Sequence, residues 1–515
     1  MSAATSVQSM NADDILAWLH ATAPSAQLSS DSRSVRPGDV FFAYPGDVAD
    51  GRNFIEQALA NGARAVVYEA EGFSWNDRWQ AEHLAVPQLK KAAGPIANVY
   101  YGAPDRNMFS VAVTGTNGKT SCTQWLGKAL SRLGQPTAVI GTLGVGLFER
   151  GDHGGFSANG YTTPDAVLLQ RALAQLCERG AKALAIEASS IGIDQGRMNG
   201  MHIDVALFTN FTRDHLDYHG DMAAYEAAKR ALFDWPGLKH AVINLDDEMG
   251  MRLVQYLQHK RADLAITGYT AADRSVPGIA VLRATDIRSS HAGTAFKLDT
   301  AQGSVAVKIQ LIGQFNVSNV LGILGVLLAK GIAFKAAVDA AEALTAVPGR
   351  MQQLGGQEAP LMVIDYAHTP DALEKTIASL RQVAGQRGGQ LWCVFGCGGD
   401  RDPGKRPQMG AVAQAADHVI VTSDNPRNED PSVIIAQVVA GIDKSGMPKE
   451  ALQVIEDRAA AILWAGRHAA KNDVVLLAGK GHESYQEIKG KKLPFLDADH
   501  AALALAARAT MKGTM

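Results

Sequence analysis

The chain has 515 residues, 47% of them hydrophobic and 20% charged, and a net charge of −3. At roughly 100–200 residues per domain the length suggests about three domains, and the composition is that of a globular protein, not a disordered one. So balanced a charge gives bulk electrostatics no pull toward nucleic acid, and any cations for a phosphate ligand have to be concentrated in one cleft.

The opening stretch, MSAATSVQSMNADDILAWLH, has no basic segment followed by an apolar one. No signal peptide is expected there, and the cytoplasm is the expected compartment. Residues 1–105 form a mixed region in which 40–43 and 65–68 read as short strands separated by turns such as Pro45-Gly46-Asp47. A different rhythm follows. The apolar run 109–113 leads into a Gly-rich loop and a helix, and further apolar runs stand at 183–186, 205–208 and 241–243. Strands alternating with helices predict a parallel sheet covered on both faces. Residues 264–312, rich in Thr and Val, are expected to form a small antiparallel excursion, and helical patterning returns over 316–344. The longest apolar stretch, 320–329, is too short to span a bilayer and reads as a buried helix. Past a linker at Val347-Pro348-Gly349-Arg350, strands are expected at 361–364, 391–395, 419–421, 452–455 and 474–477. The expected organisation is therefore α/β in three domains, 1–105, 106–346 and 347–515, with no internal repeat.

Most of these apolar runs end in a polar cluster: 115–120, 187–190, 210–215, 365–368, 396–406, 424–427 and 479–483. In open parallel sheets ligands bind at the carboxyl ends of the strands, so these loops are the expected site. The four cysteines, Cys122, Cys177, Cys393 and Cys397, are expected as reduced thiols. Cys393 and Cys397 lack the second pair that a zinc site needs, and buried thiols are the favoured reading.

The segment Val113-Thr114-Gly115-Thr116-Asn117-Gly118-Lys119-Thr120 follows a strand and enters a helix. Glycines at 115 and 118 let backbone amides approach phosphate, and a helix N-terminus favours anions. Lys119 supplies a point charge for the β- and γ-phosphates, and the Thr120 hydroxyl can ligate Mg²⁺. The loop is shorter than the usual G-x4-GK[ST] spacing, so it is a variant. Glu187, at the end of the 183–186 strand, is a candidate Mg²⁺ ligand; a strand-end Glu taken alone is more often a surface or capping residue. His215 is a further candidate ligand.

In order along the chain stand TGTNGKT, EASS, TNFTRDHLDYHG, YEAAKR, GQFNVSN, VPGRM, DYAHTPDAL, FGCGGDRDPGKRP, DNPR and AGKGHE. Together these resemble the Mur ligase family, and the early DSRSVRPGDVFFAYPG resembles the uridine-binding domain of the branch that adds the third residue of the peptide. The resemblance runs from about residue 28 to 497. It implies a uridine-nucleotide (UDP-MurNAc) binding domain, a central P-loop ATPase-like domain with a parallel sheet, and a Rossmann-like C-terminal domain that binds the amino acid. It also implies an ATP-dependent, ADP-forming amide ligase working through an acyl phosphate in peptidoglycan precursor synthesis. ATP is then a co-substrate, two Mg²⁺ ions are expected, and a monomer without membrane insertion is expected.

Site residues follow by matched position. The resemblance gives 114–120 to the nucleotide with Asn316, Arg350 and Asp365. It gives Thr120, Glu187 and His215 to the metal, joined by Lys229, which matches the lysine that family members carry as a carbamate. Lys119, Lys229, His215 and Glu187 are thus the expected catalytic set. Thr162, Thr163, Ser189, Gln195 and Arg197 match positions that bind the muramoyl-dipeptide, and Ser30, Ser32, Asp47, Val48 and Ala49 match uridine-side positions. The chain departs from the family pattern at Ile191, where relatives often carry His, at Asp47-Val48-Ala49 in place of His-Gln-Ala, and at Ser30.

Asp424-Asn425-Pro426-Arg427 resembles the motif of the meso-diaminopimelate-adding enzymes. Arg427 can hold that substrate's extra carboxylate as a bidentate charge-assisted pair and repel lysine. Arg401 is a second cation for substrate carboxylate, and Glu483 with the Gly479 carbonyl can hold the distal ammonium. The competing reading pairs Arg427 with a neighbouring Asp or Glu, such as Glu429 or Asp430, shaping only the loop. Rival functions are a ligase for lysine or another amino acid, a folylpolyglutamate-synthetase-like ligase, and a P-loop ATP-binding module without ligase chemistry.

Overall fold

The computed structural model describes residues 11–46, 49–157, 160–290, 292–443, 445 and 448–512. Asp47 and Val48 lie outside them. Among the described residues the strands form three sheets and one hairpin.

The first sheet is all parallel, in the order β1 (Leu28–Ser29), β2 (Val40–Ala43), β3 (Ala65–Glu69), β4 (Glu82–Val86). β2 and β3 are buried along their whole length. That explains why they read as unbroken apolar runs instead of alternating ones.

The central sheet is built on β5 (Phe109–Thr114), β6 (Thr137–Gly141), β7 (Gly144–Glu149), β8 (Asp152–His153), β9 (Ala183–Glu187), β10 (Val205–Phe208), β11 (His240–Asn244), β12 (Ala265–Thr270), β13 (Ala280–Ser290), β14 (Gly293–Thr300) and β15 (Gly303–Ile309). Its order is β15-β14-β13-β12-β11-β10-β5-β9-β6-β7-β8. Strands β6, β9, β5, β10, β11, β12 and β13 run parallel. The antiparallel excursion is thus shorter than the composition of 264–312 suggests: β12 and β13 extend the parallel ladder, and reversal begins only at the β13–β14 pair. A bulge between Thr285 and Arg288 accompanies that reversal. The helix Gln314–Ala329 is polar in its first turns, at Gln314, Asn316, Ser318 and Asn319, and apolar and buried over the 320–327 stretch, as a helix packed inside a core must be. Its Val320, Leu324 and Leu327 share a core with Val111 and Val205.

The third sheet comprises β16 (Gln352–Gly355), β17 (Leu361–Asp365), β18 (Leu391–Phe395), β19 (His418–Val421), β20 (Leu452–Val454) and β21 (Val474–Ala478), in the order β16-β17-β21-β18-β19-β20. All pairs except β16–β17 are parallel. A hairpin of β22 (Tyr485–Ile488) and β23 (Lys491–Pro494) follows.

The domain boundary expected at 105–106 and the linker expected at 347–350 have structure of their own. Pro104–Asn107 is a 3-10 turn in which Asp105 is buried, accepting from Asn98 Nδ2 (2.8 Å) and His202 N (2.5 Å). Val347 and Arg350 form an antiparallel bridge. No helix among the described residues is long and apolar enough to cross a membrane.

Candidate active site

The carboxyl end of β5 is where the chain changes character. Thr114 closes the strand, the loop 115–118 crosses the sheet edge, and the helix Lys119–Arg132 begins with Gly118 as its N-cap at φ +86°. A side chain at Gly115 (φ +149°) would sit 1.9 Å from Thr209 Oγ1, so only glycine fits there. The loop is held from one side by the segment after β10. Asn117 N donates to Asn210 Oδ1 (2.9 Å), Thr116 N to the Asn210 carbonyl (2.8 Å), and Thr209 Oγ1 to the Asn117 carbonyl (2.6 Å). Thr116 Oγ1 lies 3.1 Å from the Tyr225 hydroxyl. A phosphate cradle needs this fixity, because its donors must point at the ligand before the ligand arrives.

Two lysines meet under the loop. Lys119 Nζ donates to the carbonyls of Gly115 and Thr116, both at 2.8 Å, and Lys229 Nζ donates to the same Gly115 carbonyl at 2.8 Å. Lys229 is 1% exposed and rides on the helix Met222–Arg230, one turn beyond Tyr225, whose ring lies 4.5 Å from the ammonium. Burial, reinforced by the Lys119 charge, pushes the Lys229 amine well below its ordinary pKa. Burial also lowers Lys119.

Glu187 ends β9 beside the loop and is 1% exposed. Its carboxylate accepts from Thr120 Oγ1 (3.1 Å), Thr142 N (2.8 Å) and Thr142 Oγ1 (3.1 Å). His215 sits at φ +52° in the loop after β10, with Nε2 3.5 Å from Asp214 Oδ2. Burial lowers its pKa, with Lys119 and Lys229 adding to the effect and Asp214 opposing it, which keeps the imidazole neutral and able to ligate. No group of three or more His, Cys, Asp or Glu among the described residues forms a cage. The Thr120 hydroxyl and Glu187 carboxylate, hard oxygens 3.1 Å apart beside a phosphate loop, still suit Mg²⁺, which keeps waters and takes phosphate oxygens for the rest of its shell.

The C-terminal part closes over this edge. Arg350 donates to Thr120 Oγ1 (3.1 Å) and stacks 4.4 Å over Tyr366, while its buried Nε has no partner. Asp365, at the end of β17, accepts from Met351 N (2.8 Å) and Ala367 N (2.9 Å), and burial raises its pKa. Asn316 Nδ2 donates to the Ile312 carbonyl (2.8 Å). Asn117, Gly118, Asn316, Arg350 and Asp365 line one cavity of about 360 Å³.

A second cavity, about 430 Å³, is lined by His215, Arg401, Asp424, Asn425, Arg427 and Glu483 among others, with Gly479 and Ile191 in its wall. Tyr366 borders both cavities. Arg427 takes φ +52°, and its NH1 donates to the Gly399 carbonyl (2.7 Å) while Nε stands 3.6 Å from Glu487 Oε2. Of the carboxylates in the competing reading, Glu429 accepts from Arg406 (2.7 and 2.9 Å) and Asp430 caps the helix Pro431–Val439, but Arg427 does have an acidic neighbour, Glu487, in their place. Glu483 accepts from Asn425 Nδ2 (2.7 Å) and Lys480 Nζ (3.1 Å). Burial works to raise Glu483, but Lys480, Asn425 and His482 outweigh it and hold the carboxylate below its ordinary pKa. Asp424 is buried too, and burial pushes its pKa up. Pro426 completes the loop.

The dipeptide-side residues form a cluster at the end of β9. Thr163 Oγ1 donates to the Glu187 carbonyl (2.7 Å) and lies 2.9 Å from Ser189 Oγ, which caps the helix Ser190–Asp194. Thr162 Oγ1 lies 3.2 Å from Thr142 Oγ1, Arg197 NH1 donates to the Thr163 carbonyl (2.9 Å), and Arg197 Nε to Gln195 Oε1 (2.8 Å). On the uridine side Ser30 Oγ donates to Asp165 (2.5 Å) and Ser32 Oγ to Gln57 (2.8 Å), so both hydroxyls have protein partners. The Ala49 carbonyl accepts from Gly46 N (2.9 Å). Sequence reasoning gave no role to Thr142, Asn210 or Tyr225. Asn210 stood in a strand-end polar cluster that could have flagged it; Tyr225 shares a helix with Lys229.

Residues 26–101 match the family described as Mur ligase family, catalytic domain; 113–327 match the Mur ligase middle domain; and 349–481 match the Mur ligase, glutamate ligase domain. A protein of Janthinobacterium sp. (strain Marseille), UDP-N-acetylmuramoyl-L-alanyl-D-glutamate--2,6-diaminopimelate ligase, is 71% identical over 96% of this chain and 97% of its own length. One of the same name from Ralstonia nicotianae is 51% identical over 96% of each. A solved structure of a 2,6-diaminopimelate ligase of that name is 40% identical with a TM-score of 0.64, covering 94% of this chain and 95% of that one. The fold is also shared with MurF ligase from Thermotoga maritima in complex with ADP, at 18% identity and a TM-score of 0.64, covering 95% of this chain and 99% of that one.

Proposed function

Because this chain belongs to the Mur ligase family, we propose that it is an ATP-dependent ligase joining meso-2,6-diaminopimelate to UDP-N-acetylmuramoyl-L-alanyl-D-glutamate. One observation carries the reading: a cavity floored by the phosphate loop and a cavity walled by Arg427, Arg401 and Glu483 meet at Tyr366. A nucleotide in the first and an amino acid in the second would face one reaction centre.

The substrate carboxylate attacks the γ-phosphorus, the bond to the β-γ bridging oxygen breaks, and ADP leaves. The amine of diaminopimelate then attacks the acyl carbon, the bond from that carbon to the phosphate oxygen breaks, and phosphate departs, carrying the proton the amine gives up as the amide forms. A carboxylate and a triphosphate repel one another, so this chain's task is to bring cations to their meeting point. Lys119 and the amides of 115–118 hold the phosphates, and Arg350 reaches the same edge from the C-terminal part. Thr120, Glu187, His215 and the carbamate form of Lys229 would hold Mg²⁺, which when bound would neutralise phosphate charge; two ions accord with this donor set. Lys229 supports the carbamate because its amine is buried and biased to the neutral form, the form that adds to CO₂ with loss of a proton. Thr162, Thr163, Ser189, Gln195 and Arg197 would seat the dipeptide, and Ser30, Ser32 and Ala49 the uridine side. Arg427 and Arg401 would take the substrate carboxylates, and Glu483 the distal ammonium. The monomer is the expected working unit and the cytoplasm its setting.

The deciding experiment is phosphate release from ATP with the UDP-muramoyl dipeptide present, amino acid by amino acid. Strong stimulation by meso-diaminopimelate and little by lysine is expected. Equal stimulation by lysine would overturn the substrate, and none by any amino acid the ligase.

A further inference from the structure

Lys480 is the one cation of the AGKGHE segment, and no role has yet been given to it. Its side chain is fully buried. A lysine ammonium has three donors, and each has a partner: Asn425 Oδ1 at 3.2 Å, Glu483 Oε2 at 3.1 Å and the Tyr485 carbonyl at 2.7 Å. None is left for a ligand, and Lys480 is absent from the wall of the cation-lined cavity, whereas Asn425 and Glu483 are part of it.

These contacts leave Asn425 and Glu483 one arrangement each. Asn425 Oδ1 accepts from both Lys480 and Glu487 N (2.9 Å), so the amide cannot turn over, and its Nδ2 is directed to Glu483 Oε2 (2.7 Å). Oε2 thus takes two donors, while Oε1 accepts a long bond from the Tyr366 hydroxyl (3.3 Å). A buried ammonium also demands an ionised partner, because an unpaired charge away from water is strongly disfavoured.

We infer that Lys480 is a positioning residue for the amino acid: from behind the wall it fixes the Asn425 amide and keeps Glu483 charged, with Oε1 turned toward the distal ammonium of the substrate. This rests on the reading of that cavity as the amino-acid site. Lys480 touches no substrate atom; it acts through Glu483.

The test is a double-mutant cycle in the full-length enzyme, with KM measured separately for meso-diaminopimelate, ATP and the UDP-muramoyl dipeptide. Glu483→Gln and Lys480→Met should each raise the KM for meso-diaminopimelate roughly 10- to 100-fold, the scale of losing one well-placed hydrogen bond to a charged group. The other two KM values should stay near wild type. The double variant should be no worse than Glu483→Gln alone, because the lysine has nothing left to act through. Multiplying effects would overturn the assignment. A normal KM for meso-diaminopimelate in Lys480→Met beside a raised one in Glu483→Gln would overturn it and leave the cavity's reading standing. A normal KM in Glu483→Gln would overturn the cavity's reading itself. Should Lys480→Met fail to fold, Lys480→Gln retains a donor without the charge and should show the same KM split. Failure of both to fold, or a fall in kcat with all KM values unchanged, would make Lys480 a structural cation and overturn the assignment.

Discussion

Lys119 and Lys229, 110 positions apart in the chain by their numbers (229 − 119), donate to one and the same oxygen, the Gly115 carbonyl, each at 2.8 Å. Two ammonium groups on one acceptor repel, and the one with less solvent gives way. Lys229 is the buried partner, and its amine is the one pushed far down.

Lys229 should therefore be modified by CO₂. Enzyme prepared and assayed in CO₂-free buffer should lose activity and regain it with bicarbonate. Lys229→Ala should be nearly inactive, partly restored by small carboxylic acids, which put back an anion. Full activity of Lys229→Ala without such additives would refute the carbamate.

Arg427→Ala should raise the KM for meso-diaminopimelate strongly. Losing a desolvated charge-assisted pair costs about 2–5 kcal/mol, or roughly 30- to several-thousand-fold. Lysine should improve relative to meso-diaminopimelate, since a repelling cation is gone. Glu487, 3.6 Å from the guanidinium, is the protein group with which a substrate carboxylate would compete. The measurement is kcat/KM for both amino acids in both proteins; an unchanged ratio would leave Arg427 a loop-shaping residue.

His482 should make stability depend on pH. Burial, aided by the Arg350 charge, moves its imidazole from 6.5 down to about 4. The folded protein keeps it neutral where the unfolded chain takes up a proton. Its contribution is thus fully present above pH 6.5 and fades as pH falls toward about 4. Across that window His482→Gln should lose less stability than wild type, by at most about 3 kcal/mol. Denaturant melts of both proteins at several pH values would show it, and parallel curves would exclude it.

Arg458 and Asp497 form a fully buried pair, Nε–Oδ1 2.7 Å and NH2–Oδ2 2.6 Å, that ties the helix Asp497–Lys512 to the end of β21 through the Ala478 carbonyl. Asp497→Ala should cost about 3–5 kcal/mol, because it strands a buried guanidinium. Arg458→Met with Asp497→Leu should cost much less than Asp497→Ala. Chemical unfolding of the three proteins decides it.

Most strands buried on both faces were legible because burial writes an unbroken apolar run. β5, β9, β10, β18 and β21 all fall where the sequence places them. β6 (Thr137–Gly141) escaped notice although it is buried throughout; the other strands that escaped have weaker signatures. β7 carries two glycines, β4 is an edge strand with exposed Glu82 and His83, and β23 is exposed throughout. Loops that hold chemistry were legible as polar clusters at strand ends, and resemblance to known motifs supplied their roles. What was not legible is partnership across the fold. Asn117 meets Asn210 from 93 positions away, Thr116 meets Tyr225 from 109, and Lys480 meets Asn425 from 55. No local pattern records such pairings, since they exist only once the sheet has brought the loops together.

The glycines of the phosphate loop, with Gly141 at the end of β6, have a bearing on inhibition. A methyl group at 115 would strike Thr209 Oγ1 at 1.9 Å, one at 118 would meet Asn319 Oδ1 at 2.8 Å, and one at 141 would meet Glu187 Oε1 at 2.1 Å. Escape from a drug commonly runs through a bulkier side chain that evicts the compound while the natural ligand still binds. Along this rim a bulkier side chain would first strike Thr209, Asn319 or Glu187, side chains of the nucleotide site itself, so evicting the compound would disturb the site the natural ligand needs. A compound anchored on the main-chain amides of 115–118 would press on a surface that point mutation can scarcely redraw, and resistance would have to arise at the second cavity or through expression.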